Sequence, residues 1–192
     1  VNKLAHANLE DAETRQFKLN QTLNKQSYGV ITLHRPSNVD DSEVFSRIGN
    51  ALKEISTRLP LIFPTHPRTR ENIKKFDIDL GSNITLVGPQ AYMPFLDLWK
   101  NAAVVLTDSG GLQEETTALG IPCITIRENT ERPITVDEGT NTLVGTDPER
   151  IIHEVDKILQ GKGKQGCRPQ LWDGHAAERI VEILEKKMLQ PS

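Results

Sequence analysis

Cysteine is nearly absent from this 192-residue chain: Cys123 sits in an apolar run and Cys167 in a Gly/Lys-rich stretch. Neither has a CxxC neighbour or a His at ligand spacing, which excludes a disulfide scaffold and a structural zinc site. An excess of cationic charge is missing too. Lys+Arg total 23 against 26 Asp+Glu, a net charge of -3 with a pI near 6.0, so there is no basic field for a nucleic-acid backbone. Long apolar runs are lacking: mean hydropathy is -0.43, and stretches such as Ala102 to Leu106 fall far short of the ~20 residues that cross a bilayer. A soluble protein with no nucleic-acid and no membrane partner is expected. No basic-then-apolar leader opens the chain, which with the cysteine usage predicts a cytoplasmic setting. The first residue is Val1 rather than Met, a hint of a fragment of a longer protein.

What is present is an alternation. Residues 1–26 are polar, with Leu4, Leu9, Ala12, Phe17 and Leu23 too scattered for a core, and read as a linker or helical arm. From Tyr28 onward, six β-branched runs predict strands: Tyr28 to Leu33, Leu61 to Pro64, Ile84 to Val87, Ala103 to Thr107, Pro122 to Ile126 and Thr142 to Val144. Helical spacing separates them. Asp40 with Glu43 forms a capping-box-like start ahead of Val44, Ile48, Leu52, Ile55 and Leu59. Asp147-Pro148 starts another helix, carrying Ile151, Ile152, Val155 and Leu159. After a Gly/Lys-rich loop over 161–170, Ala177, Ile180, Leu184 and Met188 fall on one stripe of a last helix. Strands alternating with helices give a doubly wound, mostly parallel α/β sheet.

In such a sheet ligands bind beyond the carboxyl ends of the strands. The residues there are His34-Arg35, Thr65-His66-Pro67-Arg68, Gly88-Pro89-Gln90, Asp108-Ser109-Gly110-Gly111 and Arg127 to Arg132. Two histidines and several arginines beside a Gly-Gly turn favour an anionic ligand. The stretch 108–115 is the most informative. Glycines let the backbone approach an anion, the N–H groups of a first helical turn point at it, and the helix dipole favours negative charge there. Glu115, one turn on from Gly111, stands where a carboxylate accepts from a ribose diol. An ordinary Ser/Asp N-cap with a Gly turn explains the same residues equally well. No GxGxxG is present, which disfavours a dinucleotide. His34 and His66 are open to core and to anion-binding readings. Arg132 is open to a salt bridge with Glu128 or Glu131 and to a phosphate clamp, and Phe95 to a core place and to the wall of a base pocket. Tyr28, Trp99 and Trp172 read as packing residues.

Four motifs in order and spacing carry a resemblance: Thr32-Leu33-His34-Arg35-Pro36-Ser37-Asn38-Val39, Gly88-Pro89-Gln90 with Phe95, residues 107–115, and Thr130-Glu131-Arg132-Pro133 with Gly139-Thr140-Asn141. With the closing Leu171-Trp172-Asp173-Gly174, they resemble the non-hydrolysing UDP-N-acetylglucosamine 2-epimerases from about Tyr28 nearly to the end of the chain. The resemblance implies a Rossmann-like unit, the C-terminal half of a glycosyltransferase-B type fold. Its expected organisation is an arm over 1–26, a UDP-sugar-binding domain over 27–175 and a C-terminal helix over 176–192. The N-terminal domain, a partner of this half, is expected to be missing.

The same resemblance implies residue roles. His34 contacts substrate near the phosphates and is the catalytic candidate. Gln90 and Phe95 line the uridine pocket, Ser109, Gly110 and Gly111 hold the diphosphate, Glu115 the ribose and Arg132 a phosphate. Arg35 and His66 match a second, regulatory UDP-sugar site of some bacterial members. The implied reaction interconverts UDP-GlcNAc and UDP-ManNAc, precursors of cell-surface polysaccharide, by eliminating and re-adding UDP, with no metal and no cofactor. The proton-transfer acids of that family belong to the other half, so this chain alone is expected to be an inactive part of an isomerase. Ser37 departs from a position often acidic in relatives. A homo-oligomer is expected from the apolar stripe of the last helix. The alternatives are the nucleotide half of a retaining glycosyltransferase, set against by the His34-Arg35-Pro36 and Glu131-Arg132-Pro133 segments, and a UDP-sugar-binding module without chemistry.

Overall fold

The computed structural model describes residues 26–188. The arm predicted over 1–26 therefore lies outside the described residues except for Gln26, as does the end of the C-terminal segment. All six predicted strands form: β1 (Gly29–Thr32), β2 (Leu61–Pro64), β3 (Ile84–Val87), β4 (Val104–Thr107), β5 (Cys123–Thr125) and β6 (Asn141–Leu143). They make one sheet in the order β3-β2-β1-β4-β5-β6, every neighbouring pair parallel. The order reverses between β1 and β4, whose register sets Gly29 against Val104 and Thr32 against Thr107. β6 begins one residue earlier than its β-branched run, because Asn141 pairs with Cys123 and its amide is buried in a polar cluster.

Helices connect the strands. α1 (Pro36–Val39) and α2 (Ser42–Ser56) follow β1, α3 (Pro67–Lys75) follows β2, and α4 (Tyr92–Trp99) follows β3. α5 (Gly110–Leu119) follows β4, α6 (Pro133–Asp137) follows β5, and α7 (Pro148–Leu159) and α8 (Ala176–Met188) follow β6. Alternate strand residues face opposite layers, as the two-residue period of a strand requires. Ile31, Leu61, Phe63, Val104, Leu106 and Ile124 pack with Phe45, Ile48 and Leu52 of α2 and with Ile151 and Val155 of α7. Val30, Ile62 and Val105 pack on the other face with Leu98, Trp99 and Leu112. Both faces are thus covered, which is why the strands read as continuous apolar runs rather than as alternations.

The start of α2 differs from the sequence expectation. Its N-cap is Asp41, whose carboxylate accepts from the N–H groups of Glu43 and Val44 at 2.9 and 3.0 Å. Asp40 closes the preceding turn α1 and turns its carboxylate to Arg68 and Asn72 of α3, so it is not free to cap. α7 begins as predicted, with Asp147 accepting from Glu149 and Pro148 in the first turn. α5 ends at Gly120, whose φ of 71° is the left-handed conformation that glycine adopts without a Cβ penalty.

Tyr28 and Trp99 are packing residues, as expected, and Trp172 is half-buried in the loop before α8. α8 itself buries none of its side chains: Ile180, Val181, Ile183, Leu184 and Met188 are all exposed. No helix among the described residues is long and apolar enough to cross a membrane.

Leu52→Ala, fully inside the α2 layer, is expected to lower stability by about 2–5 kcal/mol in urea unfolding, whereas Ile180→Ala should stay within about 0.5 kcal/mol. A comparable loss at both positions would mean that α8 docks on its own domain.

Candidate active site at the sheet switch point

Asp108, the first residue after β4, is fully buried and faces the loop after β1. A buried carboxylate without partners is costly. Here every lone-pair direction is used. Oδ2 accepts from the backbone N–H of His34 at 3.0 Å and of Arg35 at 2.9 Å, and from the Asn38 amide at 3.2 Å. Oδ1 lies 2.9 Å from His34 Nδ1. The same Asn38 amide also donates to the Ile126 carbonyl at 2.9 Å, and Arg35 Nε donates to the Asp108 carbonyl at 3.0 Å. The ends of β1, β4 and β5 are thereby tied together around one carboxylate. This replaces the helix-capping role that sequence left open for Asp108.

His34 is half exposed, and its carboxylate neighbour pushes its pKa above the usual imidazole value, mainly through the hydrogen bond to Asp108, against partial burial and the Arg35 charge. The folded chain therefore holds this proton more tightly than the unfolded chain. The contribution is full below the ordinary imidazole pKa near 6.5 and is lost as pH rises through the raised value.

α5 opens directly after Asp108, the residue that holds the His34 loop. Ser109 is its N-cap, yet no side chain caps the helix, and the Ser109 N–H donates to Thr107 Oγ1 at 2.9 Å. Gly110 and Gly111 follow with ordinary negative φ. A Cβ on Gly111 would meet nothing within 4 Å, and one on Gly110 would come only to 3.8 Å from a Glu131 carboxylate oxygen. Neither glycine is demanded by the chain's own packing. What they leave is bare space over an uncapped helix start, where N–H groups and the helix dipole attract an anion.

Gln113, fully buried one turn into α5, holds this start in place. Its amide donates to the Ser109 carbonyl at 3.1 Å, and its carbonyl oxygen accepts from Thr130 Oγ1 at 2.6 Å and Asn141 Nδ2 at 3.1 Å. Sequence reasoning passed over Gln113, since a glutamine on a helix carries no signal of burial. Gly139 belongs to the same corner: a Cβ there would come to 2.4 Å from Thr117 Oγ1 and 2.6 Å from the Thr135 carbonyl.

Glu115 lies on the same helical face as Gly111. Burial raises its pKa first and the neighbouring Glu114 second, with a hydrogen bond from Tyr92 pulling the other way. A desolvated carboxylate of this kind gains from further hydroxyl donors. Tyr92, exposed at the start of α4, was not singled out from sequence. Its place one turn before Phe95 was the available clue.

A hollow of about 220 Å³ runs along the rim, lined by His34, His66, Gln90 and Phe95 with Thr65 and Pro89. Four of the expected site residues therefore meet in one place. Phe95 is half-buried against the Leu98–Trp99 layer and also lines this hollow. Gln90 donates to the Gly88 carbonyl at 2.9 Å, and His66 Nδ1 caps α3 by accepting from the Arg68 N–H. Arg35 lies elsewhere: it lines a second hollow of about 310 Å³ with Asn38, Arg127, Asn129 and Thr146. The two residues expected to share a regulatory site thus face different spaces. Arg132 pairs with Glu114 at 2.9 Å, not with Glu128 or Glu131. Glu131 instead makes a bidentate pair with Arg127, both contacts at 2.8 Å, which draws its pKa down to about 2. Cys123 is buried, with its thiol pushed up to about 11, and is unreactive there.

The parallel sheet, with a glycine-started, uncapped helix at its switch point, defines a Rossmann-like α/β unit. Within that class, the chain belongs to the UDP-N-acetylglucosamine 2-epimerase family, whose model matches residues 2–185. The UDP-N-acetylglucosamine 2-epimerase of Methanococcus maripaludis is 42% identical over 170 residues, covering 84% of this chain and 46% of its own length. The crystal structure of the Methanocaldococcus jannaschii UDP-GlcNAc 2-epimerase in complex with UDP-GlcNAc and UDP superposes with a TM-score of 0.77 at 37% identity, covering 94% of this chain and 52% of that one. An Escherichia coli heptosyltransferase, 15% identical with a TM-score of 0.50 over 77% of this chain and 48% of its own, shares the fold alone. The chain thus spans about half the length of the relatives it matches.

Gln113→Met keeps the volume but leaves the Thr130 and Asn141 donors unpaired. Urea unfolding should show a loss of about 1–3 kcal/mol. A change under about 0.5 kcal/mol would show that the cluster does not hold the start of α5.

Proposed function

We propose that this chain is the UDP-binding half of a UDP-N-acetylglucosamine 2-epimerase. The observation that carries the reading is the start of α5: an uncapped helix end with bare space over Gly110 and Gly111, at the switch point where α/β sheets bind ligands. The diphosphate takes the Ser109 hydroxyl and the N–H groups of Gly110 and Gly111, with His34 contributing from the loop after β1. The ribose diol takes Glu115. The uracil lies toward Gln90 and Phe95 in the hollow they share. Arg132 reaches a phosphate by leaving Glu114.

In the proposed reaction UDP-GlcNAc and UDP-ManNAc interconvert. The C2 proton passes to a base, the electron pair of the C1–O bond leaves with UDP, and re-addition returns UDP to the face of C1 that it left while C2 receives a proton on its opposite face. No carboxylate of this chain is assigned to the C2 proton. The base, and the second wall of the cleft, come from the other domain of the roughly twofold longer relatives. In this reading the chain divides into a binding domain over 27–175 and a C-terminal helix over 176–192, in a cytoplasmic enzyme. The relative from Methanocaldococcus jannaschii, solved with UDP-GlcNAc and UDP, supports the substrate class. The apolar stripe of α8 supports a homo-oligomer or docking on the other domain.

Calorimetric titration of the chain should detect UDP binding, weakened because one wall of the cleft is absent. Glu115→Ala should weaken UDP about tenfold, the loss of one or two hydrogen bonds to a charged group, and leave uracil unchanged. No binding by a folded chain at millimolar UDP would refute the reading. Proton NMR in deuterium oxide should show no exchange at C2 of UDP-GlcNAc with this chain alone, and exchange would overturn the placement of the base.

A further inference from the structure

We propose that Asp108 is the positioning residue of the cleft, holding the His34 ring with its Nδ1 proton toward the buried carboxylate and its Nε2 toward the bound diphosphate, so that His34 meets that group as an imidazolium. The inference deepens the nucleoside-diphosphate reading above and rests on it for the identity of the ligand.

Four observations carry it. The Asp108 carboxylate is fully buried and accepts four separate donors, three of which are not the imidazole. It is therefore held by the fold whether or not the ring is there. An ionised carboxylate only accepts, so the ring nitrogen 2.9 Å from it must be the donor. That fixes the tautomer of the neutral ring and leaves Nε2 with no protein partner among the described residues, on a half-exposed ring that borders the rim hollow. Lastly, the backbone N–H groups of both His34 and Arg35 go to the same carboxylate, so main chain and ring are anchored at one point and the ring cannot swing out of the cleft without breaking a buried contact.

The charges around the ring agree. Asp108 faces it from the loop after β4. Arg35 opposes it from its own loop, but the Arg35 guanidinium is turned to the Asp108 carbonyl and lies 3.7 Å from Glu131 of the loop after β5. Glu131 is neutralised in turn by Arg127. His66, lining the same hollow from the loop after β2, has its Nδ1 engaged by the Arg68 N–H. The nearest full charge is thus the carboxylate, and the hydrogen bond to it raises the His34 pKa. A phosphate at Nε2 would raise it further, so proton uptake and diphosphate binding favour one another.

The first arm of the test needs no ligand. Nitrogen-correlated NMR of the imidazoles should show neutral His34 protonated at Nδ1 and titrating above the ordinary value near 6.5. In Asp108→Asn the titration should fall back to that value or below. An Nε2-protonated ring in the unaltered chain, or the same titration in both proteins, overturns the proposal. The tautomer is read on the unaltered chain, so the test stands even if Asp108→Asn does not fold.

The second arm measures UDP affinity at roughly pH 6 and pH 8, which bracket the imidazole. The unaltered chain should lose about tenfold more affinity over that interval than His34→Gln, the size of one charge-assisted hydrogen bond, with the ionisation of UDP itself common to both. Parallel losses overturn the proposal. A folded chain with an Asp108-dependent His34 titration but no UDP binding would instead leave the positioning intact and refute the nucleotide reading.

Discussion

One buried carboxylate organises this cleft. Asp108 is paired with main-chain and side-chain donors from the β1 loop and, through Asn38, with the carbonyl that ends β5. Taking a charge out of water is tolerated only when its hydrogen-bonding capacity is met in full. The β1 loop therefore has little freedom: its two N–H groups and its asparagine must converge on a point set by β4. The place of His34 beside the buried carboxylate follows from that requirement.

The opposite wall is arranged by a different device. α5 begins with glycines that nothing in the fold requires and ends at a glycine that the backbone does require. Between them the buried amide of Gln113 ties the helix to the loop after β5 and to β6. One side of the cleft is thus held by a charge and the other by a neutral amide cluster. The two are joined through the β1–β4 pairing, where the Thr32 and Thr107 hydroxyls meet at 2.7 Å. A rigid frame around an uncommitted helix end is what a binding site built before its ligand arrives should look like.

Much of this was legible in the sequence. β-branched runs marked six strands, the Asp147-Pro148 pair marked the start of α7, and the rim motifs named His34, His66, Gln90 and Phe95, which line one hollow. What escaped depended on which way a side chain turns. Asp40 and Asp41 are adjacent and chemically identical, and only the position of Arg68 and Asn72 on α3 decides which of them caps α2. Asp108 resembles a helix cap until β1 is known to lie beside β4. Arg35 and His66 look alike as polar rim residues, yet they line different hollows. The apolar stripe of α8 was plain in the periodicity, which says that a face is apolar and nothing about what covers it.

The adjacency of β1 and β4 also has a consequence for how the molecule comes apart. His34 and Asp108 stand far apart along the chain, with α1 to α4 and β2 to β4 between them, and meet only because the central pair of strands has formed. No local fragment of the chain contains both walls of the cleft. A ligand seated there binds the native sheet and nothing less, so its binding energy is added in full to the cost of opening the central strands. Occupancy of the cleft would then slow exchange at amides deep under α2 and α7, far from any atom the ligand touches, while exchange along the exposed α8 would be unchanged.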